Sequence, residues 1–298
     1  MADAIFPPQS KQVMSALDGQ VKTDAVNTGR RRPKGSRRHT KRTLREQVIL
    51  VAISTGSMVG FLSLWQLAYA LGWIDLLFFS APSKIATTTI DLARSGQLSE
   101  AVIATLKLFV VGFGISALLA VPLGVVLGWY PRLYAAFDPF VSGMYAAPRI
   151  ALIPLVLVWF GIGFQAETFI VALGAFFPIL VNTIAGVRAI DPDLLQVARS
   201  YGASDRDIFR TLALPSALPF IISGFRHGQA QALNGVIVAE FFVGQVGIGK
   251  LITDAGLTFR TDVVFAGILV VALAALVLNA ALGAVEKHFA RWRPEQHQ

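Results

Sequence analysis

Apolar residues run along this chain in blocks that a water-soluble fold would not need. Val48–Leu71, Val102–Trp129, Thr168–Val187 and Val263–Val285 each approach or exceed the length of about 20 mostly apolar residues with which an α-helix crosses the hydrocarbon core of a bilayer. A fifth block, Phe140–Phe160, is interrupted by Pro148, Arg149 and Pro154. A sixth, Leu218–Val243, is the most polar, with Arg226, His227, Gln229, Gln231, Asn234 and Glu240. It is counted because the segments on either side of it otherwise have incompatible topology. Six spans put both ends of the chain on one side. The pattern predicts an all-α integral membrane protein with six transmembrane helices.

Composition agrees. Of 298 residues 54% are hydrophobic and 15% charged, with a mean hydropathy of +0.61; a soluble domain carries about 25% charged residues. The absence of cysteine excludes disulfides and thiolate metal sites. His39, His227, His288 and His297 are scattered without metal-ligand spacing, so no metal site and no catalytic group is assigned.

Charge then orients the spans. Residues 1–47 hold 11 Lys/Arg against 4 Asp/Glu, nearly all of the net +8, with "RRRPKGSRRHTKR" just before the first apolar block. This predicts a basic, disordered cytoplasmic tail beside the lipid bilayer, where anionic headgroups attract it. No aromatic residues interleave with the run and no domain follows it, so nucleic acid is not a predicted partner. The apolar block is too long for a signal peptide and no cleavage site follows. With the tail inside, internal segments hold 19 Lys/Arg and external ones 4, leaving Lys107, Arg149 and Arg226 within spans. Both termini are predicted to be cytoplasmic. Residues 48–290 form one transmembrane domain, 291–298 a short cytoplasmic tail, and 74–101 an external segment whose Ser83 is positioned to cap a helix running to about Arg94.

One internal segment, at about 188–217, is longer than a passive connection between spans requires. Asp191 is placed as N-cap with Pro192 at N1, and the helix stops near Tyr201 at Gly202, suited to the left-handed position. Ser204 caps a second helix, with Asp205 and Asp207 in its first turn, predicted to end before Pro215; Pro219 opens the next span. Two short helices meeting at a glycine corner read as a docking element.

The stretch "QVARSYGASDRDIFRTLALP" resembles the EAA loop of ABC importer permeases, with pattern E-A-A-x-x-x-G, nine residues, then I-x-L-P. Gln196, Val197, Ala198 and Gly202 occupy the positions of the first part and Leu212, Leu214 and Pro215 those of the second; Gln196 stands where the pattern has Glu and Val197 where it has the first Ala. "APRIALIPLVLVWFGIG" (Ala147–Gly163) and "VAEFFVGQVGIGKLI" (Val238–Ile252) resemble the nitrate/taurine/sulfonate type, which includes aliphatic sulfonate and bicarbonate permeases. The similarity covers about residues 48–290. It implies a type I importer permease fold in a bacterial inner membrane, one of two copies in a dimer, with an external binding protein delivering substrate. It also implies that the loop between spans four and five seats on cytoplasmic ATPase subunits, which hold ATP and magnesium; this chain holds no cofactor. On that reading Gln196, Ala198, Arg199, Gly202, Ser204, Asp205, Arg206, Ile208, Arg210, Leu212 and Pro215 form the coupling site. Leu195, Ala198, Ile208 and Leu212 would be the apolar face and Arg199, Arg206 and Arg210 the cations for acidic groups. The alternative is that this face packs on the chain's own bundle.

"GQVGIGKL" (Gly244–Leu251) approaches a phosphate-binding loop, but Leu251 replaces the hydroxyl that would hold magnesium and no strand precedes it. The energy source is therefore expected on a partner, and the chain is not expected to be an enzyme. The pathway is expected along the sixth block, where His227, Gln231 and Asn234 share a stripe while Gln229 and Glu240 share the opposite one. Arg149, at the broken block, is a candidate contact for an anionic substrate or a partner of Glu240. Nitrate, sulfonates, taurine, bicarbonate, aromatic carboxylates and pyrimidine-type vitamin precursors are all compatible with the resemblance. Two other classes remain: a secondary transporter, which predicts inverted repeats and embedded ion sites, and a membrane enzyme, which needs a catalytic cluster.

Overall fold

The computed structural model describes residues 44–75 and 77–290, which form helices joined by short connections, with no strand among them. Most of the predicted basic tail, residues 1–43, and the C-terminal tail, 291–298, lie outside that range. The described residues divide into two units at residue 58. The described part of the first is the opening of α1 (Leu44–Ala70), and its residues 49–58 are all exposed.

The second unit contains the rest of α1, then α2 (Pro82–Arg94), α3 (Gln97–Trp129), α4 (Pro131–Ala146), a 3₁₀ turn at Arg149–Leu152 and α5 (Ile153–Phe160). There follow α6 (Phe164–Arg188), α7 (Pro192–Ser200), α8 (Asp205–Ile208), a π turn at Phe209–Ala213, α9 (Leu214–Phe242), α10 (Ile248–Leu257) and α11 (Thr261–Ala290). Five helical stretches have the length and hydropathy of a span: Ile49–Ala70, Gln97–Trp129, Phe164–Arg188, Asp205–Phe242 and Thr261–Ala281. Pro131–Ala146 and Arg149–Phe160 meet at a 95° bend and make six when the pair is counted as one broken span. The break has a local cause. Pro148 crowds the helical conformation of the residue before it, and Ala147 sits extended at φ −64°, ψ 138°.

α6 lies at the centre, with 67% of its apolar stretch buried, between α3 and α9. Small residues allow the backbones to close together. A Cβ on Gly124 of α3 would come within 2.6 Å of Thr183, and one on Gly174 of α6 within 3.0 Å of the Gln231 carbonyl on α9. The Ser116 hydroxyl donates across from α3 to the Ala172 carbonyl at 2.6 Å. Leu108, Leu127, Val171, Ile179, Leu180 and Val236 fill the space between these contacts.

A second apolar cluster joins α2, α10 and α11 through Ile85, Leu92, Ala255, Val263 and Ala266, with Trp65 packed against it. Thr88 donates to Asp262 at 2.7 Å, and the Trp65 indole N–H to the Ser80 carbonyl at 3.0 Å. Ser83 is not the cap of α2. Ala81 occupies that position without a side-chain bond, because Pro82 takes N1 and starts the helix one residue ahead of Ser83, whose N–H bonds to Gln66 instead.

Gly174→Val drives a methyl group into backbone that cannot yield, at a cost of about 1–3 kcal/mol. A lower unfolding temperature of the detergent-solubilised protein is the expected result, while Gly114→Val, in open space, leaves it unchanged.

Candidate functional site

The segment between α6 and α9 is closed at every joint. The Asp191 carboxylate accepts from the Asp193 N–H at 2.9 Å, with Pro192 at N1. At the end of α7, Gly202 adopts φ 76°, a left-handed conformation suited to glycine. Its N–H donates to the Arg199 carbonyl at 2.9 Å and the Ala203 N–H to the Ala198 carbonyl at 3.1 Å, the paired bonds of a Schellman end. Ser204 and Asp207 form a reciprocal capping box, at 3.3 Å from the Asp207 N–H to the Ser204 hydroxyl oxygen and 3.2 Å from the Ser204 N–H to the carboxylate. This polar head lies ahead of the apolar stretch of the span.

The helix that starts at Asp205 does not end before Pro215. It passes through the π turn, in which the Leu214 N–H donates to the Phe209 carbonyl, directly into α9. Pro215 offers no N–H and its ring crowds the carbonyl four residues back; the widened π turn precedes it. Pro219 likewise sits inside α9 rather than opening it. α8, the π turn and α9 therefore form one helical run of 38 residues, and Trp129 of α3 braces the turn edge-on against Phe209, ring centroids 5.2 Å apart.

Of the expected apolar docking face, Ile208 is 1% exposed within the chain, and Leu195, Ala198 and Leu212 are partly buried. Ile208 thus supports the loop from beneath instead of facing outward. The open apolar residues are Leu194, Val197 and Tyr201, exposed by 52%, 54% and 88%. They stand three and four residues apart, hence on one face of α7. Gln196, Arg206, Arg210, Ser204, Gly202 and Pro215 are exposed. Arg199 and Asp205 pair loosely across the corner at 3.9 Å, both largely exposed.

At mid-bundle, the 95° bend brings Arg149 against α9. A cavity of about 340 Å³ there is lined by Pro148, Arg149, Ile150, Ile170, Gln231 and Asn234, among others. The Arg149 Nη1 donates to Gln231 Oε1 at 3.2 Å, while its Nε is buried with no hydrogen-bond partner. His227 is exposed on the same face of α9, one turn nearer the loop, outside the cavity. Arg149 and Glu240 are not partners.

Residues 120–292 match the family described as the binding-protein-dependent transport system inner membrane component. The chain belongs to that family, the permeases of ABC importers. At 36% identity over 242 residues it is similar to the aliphatic sulfonates transport permease protein SsuC of Escherichia coli, covering 80% of this chain and 91% of that one. It is 33% identical over 228 residues to the riboflavin transport system permease protein RibX of Chloroflexus aurantiacus, covering 76% and 85%. In fold it is similar to an inward-facing MetNI methionine ABC transporter structure, with a TM-score of 0.57 at 21% identity, covering 66% of this chain and 98% of that one. The family and the type I permease fold expected from the sequence are therefore shown.

In this permease Glu240 lies outside the cavity, 1% exposed, at the far end of α9. Its Oε1 accepts from Thr105 of α3 at 2.6 Å and its Oε2 from the Gly249 N–H at 2.6 Å. The Thr105 oxygen accepts in turn from the Ile248 N–H at 2.9 Å. A carboxylate with these donors, at the positive end of α10, is satisfied where it is, and it does not line the cavity beside Arg149. On the same buried side, Gln229 donates to Asn279 of α11 at 3.3 Å. Among the described residues no three His, Asp or Glu side chains converge as a metal site would require.

Thr105 and the Leu194–Val197–Tyr201 face are the residues that the sequence pattern did not single out. The latter had a signal, since α7 carries two apolar stripes and only one can face the bundle.

Proposed function

We propose that this permease forms half of a pathway for a small organic anion and is driven by cytoplasmic ATPases that grip the 188–217 loop. The observation that carries the proposal is the unbroken helix from Asp205 to Phe242, which joins the capped loop at one end to the cavity wall at Gln231 and Asn234. Movement of the loop is thereby movement of the cavity. Family membership implies ATPase and binding-protein partners and a multi-pass inner-membrane location. We further read both termini and the loop as cytoplasmic, from the Lys/Arg distribution, and the working unit as a homodimer over two ATPases. The exposed stripe of α9 bearing His227, Gln231 and Asn234 would then face the second copy across the pathway.

On this reading Leu194, Val197 and Tyr201 enter the ATPase groove, with Gln196, Arg199, Arg206 and Arg210 around them for acidic groups. Gly202, Ser204, Asp205 and Pro215 fix the shape of the loop, and Ala198, Ile208 and Leu212 hold it to the bundle. ATP and magnesium belong to the ATPase. The Gly244–Leu251 stretch opens a helix against Glu240 in this chain, and its Gly249 N–H is taken by the Glu240 carboxylate. The anion reading rests on the Arg149 guanidinium, a cation among the residues that line the cavity, with the amide groups of Gln231 and Asn234 beside it. The riboflavin relative means that the family itself is not restricted to sulfonates.

Purified gently from its native host, the tagged chain should bring an ATPase at equal stoichiometry, and Val197→Glu should cut that yield about tenfold without lowering the unfolding temperature. Recovery of the chain alone, or full recovery of ATPase by the variant, contradicts the docking assignment. Arg149→Gln should reduce uptake of the transported anion by about tenfold or more with ATPase assembly unchanged; undiminished uptake would remove Arg149 from the pathway.

A further inference from the structure

The geometry of the glycine-rich stretch Gly244–Gly249 is explained by a neighbouring side chain. A Cβ at Gly247, where φ is 141°, would fall 2.3 Å from the Glu240 carboxylate, and one at Gly249 would fall 2.7 Å from the Glu240 Cβ. These glycines leave room for one side chain. Glu240 fills that room and accepts from Thr105 and from the Gly249 N–H, while Thr105 accepts from the Ile248 N–H. The last turn of α9, the first of α10 and one side chain of α3 are thus joined through a single buried carboxylate. Burying a polar group is costly unless it is hydrogen-bonded, so this joint has one well-satisfied arrangement. Loosening it leaves a buried acceptor unpaired.

α10 also forms much of a cleft at this end of the bundle. Lys250, Leu251, Asp254 and Thr258 face Gln97 and Glu100 of α3 across about 520 Å³. The helix that bears Glu240 carries the capped loop at its other end.

We propose that Glu240 is a positioning residue that locks α10 to the end of α9, so that displacement of the loop end of α9 moves α10 and reshapes the cleft at the opposite face. The lock stands on the geometry of the carboxylate; the transmission rests on the reading of the loop as the ATPase contact. Glu240→Gln keeps the shape but replaces one acceptor with a donor, and Thr105→Val removes the bridging hydroxyl.

The test uses the full chain with its co-purifying ATPase in lipid nanodiscs. Amide hydrogen exchange at Ile248 and Gly249 should speed up about tenfold or more in Glu240→Gln. In Thr105→Val, Ile248 should do the same, whereas Thr105→Ser should retain protection. Unchanged exchange at both amides in Glu240→Gln overturns the lock. The chain has no cysteine, so Leu257→Cys, at the exposed last residue of α10, provides a unique maleimide site. Its labelling rate should change on trapping with ATP and vanadate, and that response should vanish when Glu240→Gln is added while nucleotide remains trapped. A response equal in both proteins, or absent from the parent, overturns the transmission. A chain that brings no ATPase contradicts the importer reading and with it the transmission, while the exchange measurement still decides the lock.

Discussion

Lipid offers apolar helices no gain for hiding from one another, so a bundle of this kind is held by close backbone approach and by hydrogen bonds between helices. In this permease that constraint falls on α6, which is gripped on one side by α3 and on the other by α9. Gly124 and Gly174 mark places where there is no space for even a methyl group. The Ser116 hydroxyl ties α3 to the α6 backbone between them. Because Gly174 meets the backbone at Gln231 itself, the packing also fixes where the amide that holds Arg149 stands.

The site follows from that arrangement together with two local departures from regular helix. Pro148 turns the third span through 95° and delivers Arg149 to the face of α9. Farther along, the π turn at Phe209–Ala213 precedes Pro215 without ending the helix. The first proline breaks and the second does not, and the difference is in the neighbours. Ala147 moves to an extended conformation, whereas the π turn keeps its helical course beside Trp129. The result is a single rod with a capped corner at one end, a cationic cavity beside its middle and a buried carboxylate at its far end.

Much of this was legible in the chain. The long apolar blocks announced the spans, and Asp191, Pro192, Gly202 and Ser204 announced the corner, because caps and left-handed glycines act through their immediate neighbours. What the pattern missed depends on what lies across the bundle. Ile208 and Val197 are equally apolar in sequence, and only the packing says that the first turns inward and the second outward. Glu240 reads as a costly charge in a span until Thr105, 135 residues earlier, is found hydrogen-bonded to it. Ser83 was misread as a cap because Pro82 starts the helix ahead of it. Pro215 was misread as a stop because a π turn was not anticipated.

The central claim is that the loop and the cavity ride on one continuous helix. Spin labels at Arg206→Cys and Phe241→Cys, in a chain without other cysteines, measure it directly by pulsed electron resonance in nanodiscs. With doubly labelled chains diluted in unlabelled ones, so that pairs within one chain dominate, a rise of 1.5 Å per residue predicts a narrow distance of about 50 Å. A broad distribution, or one centred well below that value, would mean that the helix breaks near Pro215 and that the loop does not move the cavity.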